Sequence, residues 1–341
     1  MNAPYTNRKD PRSKTRYALL ALFAVLLLLS ILYGLMVGAV SIPAKEVWTS
    51  LINDTDSEFR QIVWNLRLPR VLTGLLVGIC LAVSGAFLQG VFRNPLADPG
   101  IIGVSSGAGL AAVSVMILFP EQMSLVPLAA FLGALAAAAI IYALAWNKGA
   151  PAGRMILAGV AVNSLLGAGM TTVILLNSEK VQAVLPWLAG SLNGKSWPHF
   201  ETILPYACIG MVLSVFLVKH ANVLILGDEV AKLLGNRVER SRMLVILMST
   251  FMAGIAISVS GLIGFVGLVV PHIVRMIAGN DYKFFLPLSA LGGGALVVAA
   301  DTSARAWFDP IEFPVGVLLA LLGAPFFLYL LRGGLKGWKT S

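Results

Sequence analysis

The sequence is poor in charge. Only 12% of its 341 residues are Asp, Glu, Lys or Arg, about half the share in a soluble domain. That scarcity excludes a soluble protein of this length, which would need solvated surface for two or three domains. Cysteine is almost missing: Cys80 and Cys208 both fall in apolar runs, which excludes a disulfide framework and leaves buried packing as their role. The histidines, His199, His220 and His272, are far apart, and none has a partner at metal-ligand spacing. Neither a metal site nor a catalytic residue is expected. The stretch "GSLNGKSW", residues 190–197, fails as a phosphate-binding loop. It has three residues between Gly190 and Gly194 where that motif needs four, and no strand precedes it. The apolar runs are also nearly free of the carboxylates and histidines that ion-coupled transporters hold at mid-membrane depth. Asp98 falls in a connection, and Asp301 and Glu312 fall at run ends.

What remains is apolar. Hydrophobic residues make up 58% of the chain, and the mean hydropathy is +0.86. Apolar runs recur at about 17–38, 64–88, 100–119, 124–146, 153–176, 202–218, 242–260, 262–278, 284–300 and 313–331. The expected fold is an all-α polytopic membrane protein with ten transmembrane helices. One such domain would cover residues 17–335, between tails at 1–16 and 336–341, with a polar loop at 220–241. The first run is too long for a cleavable signal and reads as a retained span. The connection "GVFRNPLADPGIIGVSSGAG", rich in Pro and Gly, reads as partly unwound and buried in protein.

The net charge of +9 is spread between the runs, which argues against a nucleic-acid partner. With the N-terminus in the cytoplasm and sides alternating, eighteen of the 25 Lys and Arg fall inside. The positive-inside rule thus predicts both termini cytoplasmic. It also puts Arg67 and Arg70 of "LRLPR" outside, where topology does not need them, with Pro69 near the first turn of their helix.

Three further stretches stand out. "HANVLILGDEVAKLLGNRVERSRM", residues 220–243, predicts a short helix from Asp228 to Leu234, Gly235 as its C-cap, and a second short helix. It is either an ordinary solvated loop or a rigid knob that docks a partner. Gly261, Gly264 and Gly267 are three apart, and predict one bare helix face for close packing. In "RMILAGVAVNSLLGAGMTTVILL" the polar residues are Asn163 and Ser164, with Gly159, Gly167 and Gly169 spaced for packing. A chain with neither an ion-coupling site nor an ATP loop is passive or borrows its energy, and an external ATPase is the favoured source.

"LRLPRVLTGLLVGICLAVSGAFLQGVFRNPLADPGIIGVSSGAG", "GLIGFVGLVVPHIVRMIAGND" and "DTSARAWFDPIEFPVGVLLALLGAPFFLYLL" closely resemble the FecCD-type permeases. These are membrane subunits of ABC importers for ferric siderophores, haem and cobalamin, and the resemblance runs from about residue 20 to 335. It implies a multi-pass subunit of the bacterial inner (cytoplasmic) membrane, paired with a second permease, either an identical copy or a paralogue. Two ATPase subunits on the cytoplasmic face would bind ATP and Mg, while this chain binds no cofactor. An extracytoplasmic substrate-binding protein would dock through carboxylates onto Arg67, Arg70 and Arg305, since guanidinium groups give directional, bidentate contacts. Snorkelling to lipid headgroups is the alternative role for Arg67 and Arg70. Gly227, Asp228, Glu229 and Gly235 would seat on the ATPase. Asn163, Ser164, Gly159 and Gly167 belong to the helix that lines and gates the pathway, although Asn163 could equally hydrogen-bond a neighbouring helix. Ferric siderophore is the first expectation for substrate, then haem or cobalamin. An ion-coupled transporter or passive channel without an ATPase is the rival of another class.

Overall fold

A computed structural model describes residues 13–53, 57–147 and 149–333, all helix and connection, with no strand among the described residues. The expected tails at 1–16 and 336–341 lie outside the described residues, apart from 13–16, which open the first helix. The helices are α1 (Ser13–Met36), α2 (Ala44–Ile52), α3 (Glu58–Val91), α4 (Val104–Leu118), α5 (Val126–Ala145), α6 (Ala152–Leu176) and α7 (Val181–Ala189). They continue as α8 (Trp197–Ile225), α9 (Asp228–Leu233), α10 (Val238–Ser260), α11 (Val266–Ala278), α12 (Tyr282–Trp307) and α13 (Val315–Gly333). Seven helices are long and apolar enough to cross a bilayer, and α4, α11 and α13 are shorter apolar helices.

The core forms around α3, which packs against α8, α10, α11 and α12. It is buried over most of its length, whereas α1 and α6 are apolar yet largely exposed, as helices bordered by lipid or a second subunit must be. Small residues let the central backbones meet. A Cβ on Gly85 would overlap the Gly267 carbonyl, and one on Gly78 would overlap that of Gly293.

Two features differ from expectation. Pro69 does not lie in the first turn of α3, which starts at Glu58 under the Ser57 cap, whose hydroxyl accepts from Arg60 N at 3.2 Å. Residues Gln61–Arg67 form a π-helical stretch, in which Leu68 N–H donates to Val63 O. The wider turn makes room for a proline ring that would clash in a continuous α-helix. The glycine series also breaks up, because residues 261–265 are not helical and only Gly267 of the three lies in α11. Gly261 ends α10 at φ +71°, where a Cβ would strike the Trp187 carbonyl. Leu262 N–H then bonds Trp187 O at 3.2 Å. The connection after α3 agrees with its reading: Asp98 caps a 3-10 turn at Pro99–Ile102 by accepting from Gly100 N at 2.7 Å, and Ala97, Pro99 and Ile102 are buried.

Alternating helices put two sets of residues at opposite ends of the bundle. One end carries Arg67, Arg70 and Arg305; the other carries α9.

Candidate functional site

At the arginine end, residues of α3, α12 and the connections beside them surround a cavity of about 410 Å³. Arg67 closes the π stretch of α3, Arg70 lies one turn further on, and Arg305 sits in the last turn of α12. Lys195, Asp309 and Glu312 complete its charged lining. The three arginines 67, 70 and 305 are brought together, but they are not free guanidinium groups on a rim. Arg67 is only 5% exposed; its Nη1 donates to Leu35 O at 2.7 Å and its Nη2 to Val40 O. These carbonyls lie at and just beyond the C-terminal end of α1, where the helix dipole favours a cation. Arg70 holds buried Asp301 bidentately, Nε to Oδ2 and Nη2 to Oδ1, both at 2.9 Å. Its Nη1 donates to Glu312 Oε2 at 2.9 Å. Arg305 donates from Nη2 to Gly34 O at 3.1 Å, and its Nε lies 3.6 Å from Asp301 Oδ2. Half-buried Lys195 stands in the turn before α8, and burial pushes its ammonium pKa down.

Sequence reasoning missed Asp301, Glu312 and Lys195 as members of this group. Asp301 stands four residues before Arg305 on one helix, a spacing that brings side chains together. That signal was available, but nothing in the sequence tied either residue to Arg70.

At the other end, α9 is a single helical turn and a half held in a carboxylate–guanidinium cluster. Arg242, 2% exposed, donates from Nη2 to both oxygens of Asp228 at 2.8 and 2.7 Å. Its Nη1 reaches Glu239 Oε1 at 2.6 Å and Ala150 O at 3.2 Å, and Glu239 Oε2 accepts from Ala150 N at 3.0 Å. Gly227 enters α9 with positive φ, and a Cβ there would stand 2.9 Å from Arg93 Nη1. Gly235 ends it at φ +74°, with Asn236 N–H bonding Ala231 O at 3.0 Å. Glu229 is exposed, and so are Val230, Leu233 and Leu234, leaving Leu233 88% exposed at the tip. The second short helix does not exist as a separate element. Val238 starts α10 directly, because Val238, Arg242 and Val245 are buried along one face that leads into the core.

The four pathway residues of α6 divide between two faces. Asn163 Nδ2 donates to Gly100 O at 2.9 Å, and a Cβ on Gly159 would strike Ile101 O, so both face the 3-10 turn after α3. Ser164 is exposed and bonds only Val160 O of its own helix at 2.9 Å, and Gly167 has open space beside it. Of the cysteines, Cys80 is buried, but Cys208 is exposed on α8 instead of packed.

The fold is that of a multi-pass helical membrane protein, with a cationic cavity at one end and an apolar-tipped helical knob at the other. The chain belongs to the FecCD transport family, whose model matches residues 26–333. It is 46% identical over 80% of its length to the cobalamin import system permease protein BtuC of Halobacterium salinarum, covering 73% of that protein. It is 41% identical to the hemin transport system permease protein HmuU of Yersinia pestis, with 92% of this chain and 95% of that one covered. The Bacillus subtilis Fe(3+)-citrate import system permease protein YfmE is 38% identical, covering 96% and 97% of the two chains. A metal-chelate type ABC transporter solved in an inward-facing conformation superposes with a TM-score of 0.82 at 29% identity, covering 93% of this chain and 99% of that one. The chain is therefore an ABC importer permease and not an enzyme; the ATPase is a separate subunit.

Proposed function

We propose that two such permeases, this chain and a second copy or paralogue, form the membrane pathway of a binding-protein-dependent importer for ferric siderophore. Ten helices cross the bacterial inner membrane with both termini in the cytoplasm. The arginine end faces outward and receives carboxylates of the substrate-binding protein, and α9 faces the cytoplasm and seats on the ATPase. ATP binding draws the two ATPases together, α9 moves with them, and the helices between the subunits tilt to open the pathway to alternate sides. Ser164 and Gly167 border that pathway, while Gly159 and Asn163 anchor α6 to the turn that follows α3.

The observation that carries this reading is the two-ended arrangement itself. Four cations and two carboxylates line the cavity, and buried Asp301 behind them balances Arg70, which leaves one net positive charge toward an acidic partner. At the opposite end, exposed Leu233 and Leu234 project from a turn that Arg242 fixes in place. The nearly carboxylate-free spans support borrowed energy over ion coupling. The identity to BtuC of Halobacterium salinarum supports cobalamin as a second reading of the substrate, with haem beside it.

Reconstitution in liposomes tests the proposal. Uptake of iron-loaded siderophore that requires the ATPase, the binding protein and ATP together is the expected result. Uptake driven by an ion gradient without the ATPase would establish the rival class, and uptake of cobalamin or haem alone would reassign the substrate.

A further inference from the structure

We propose that Glu312 is a placeholder carboxylate: it holds the cavity-side nitrogen of Arg70 in the undocked permease and gives way to a carboxylate of the docking protein. This rests on the docking reading above. Arg70 has two kinds of partner. Asp301 takes Nε and Nη2 at 2.9 Å each, and its side chain is 4% exposed. No incoming group can replace it without opening the bundle. Glu312 takes only Nη1, at 2.9 Å, and its side chain is 49% exposed. It stands in the non-helical stretch between α12 and α13, and both it and Arg70 line the cavity.

These differences make only one of the two contacts exchangeable. A half-exposed carboxylate regains water when it leaves, whereas a buried one would be stranded without a partner. The buried guanidinium is also never left with a free charge. Asp301 balances it throughout, and Nη1 passes from one carboxylate to another of the same geometry. Docking then becomes a competition at a single nitrogen. The internal carboxylate weakens the complex and shields Arg70 from stray anions, which favours a partner that engages Arg67, Arg305 and Lys195 at the same time. The contact is an autoinhibitory one, built from the stretch between α12 and α13.

The test uses the permease–ATPase complex in lipid nanodiscs and the substrate-binding protein that stimulates its ATP hydrolysis. Binding is titrated at low and at physiological salt for the wild type, Glu312→Gln and Lys195→Glu. Glu312→Gln keeps the side chain's shape and changes a half-exposed position, and retention of the ATPase together with an unchanged melting temperature verifies folding. Removing the competitor is expected to tighten binding about two- to fivefold, the range of a partly exposed ion pair. Lys195→Glu is expected to weaken binding, most at low salt. Unchanged or weaker binding by Glu312→Gln, with Lys195→Glu still weakened, overturns the placeholder and leaves the docking site standing. Unchanged binding by Lys195→Glu overturns the docking site, and the placeholder with it.

Discussion

Arg242 grips both carboxylate oxygens of Asp228 at 2.7 and 2.8 Å, tying the short helix α9 to the long helix α10 across the turn between them. The same guanidinium bonds Glu239 and the Ala150 carbonyl, so one buried side chain joins three segments at this end of the bundle. A push on α9 is thereby delivered to α10, a core helix packed on α3.

Arg242→Met keeps an unbranched apolar stem and removes every one of these contacts. The carboxylates of Asp228 and Glu239 are about one-third exposed, so water compensates part of the loss. A stability loss of about 1–3 kcal/mol is expected. Because Leu233 and Leu234 still project, the ATPase should copurify, while substrate moved per ATP hydrolysed falls several-fold. Transport and hydrolysis measured in the same liposomes check this.

The pair Arg70–Asp301 separates stability from docking. Asp301→Leu alone strands a buried guanidinium beside half-exposed Glu312, and should lower stability by about 3–5 kcal/mol. The double substitution Arg70→Met with Asp301→Leu replaces the ion pair by apolar volume and should recover most of that loss. It should still fail to bind the substrate-binding protein at wild-type affinity. Thermal unfolding in detergent and a binding titration on the same preparations read the two effects separately.

Along α6, Ser164 and Asn163 should behave oppositely. With Cys208 replaced by Ser, Ser164→Cys is expected to react with a membrane-impermeant thiol reagent in the assembled importer, at a rate that changes when ATP is bound. Asn163→Cys should stay unreactive and should loosen α6, because the bond to Gly100 O is lost. Equal reactivity at both positions would remove Ser164 and Gly167 from the pathway.

Most of the architecture was legible because lipid imposes a simple rule: a spanning helix must be long and apolar. The expected intervals match the helices to within a few residues at most ends, and the unwound connection around Asp98 followed from its Pro and Gly content. Local rules failed where a distant partner decides. The partner of Arg70 lies 231 residues away, and no periodicity links the two. The π stretch of α3 shows only as a proline that a regular helix would exclude from its interior. Gly261, Gly264 and Gly267 have helical spacing, yet the Trp187 backbone captures Leu262 and ends α10 there. Asp228 and Glu229 look equivalent in the sequence. Only the fold shows that Asp228 braces the knob while Glu229 faces water.

The central claim is that the cationic cavity receives the substrate-binding protein. It is tested most directly by ATP hydrolysis of the nanodisc-embedded importer, titrated with that protein, for the wild type and for Arg67→Glu and Arg305→Glu, each verified to retain its ATPase. The account predicts saturable stimulation of the wild type, and a stimulation curve shifted at least about tenfold to higher protein concentration in each variant. Stimulation curves that coincide with the wild type would contradict it.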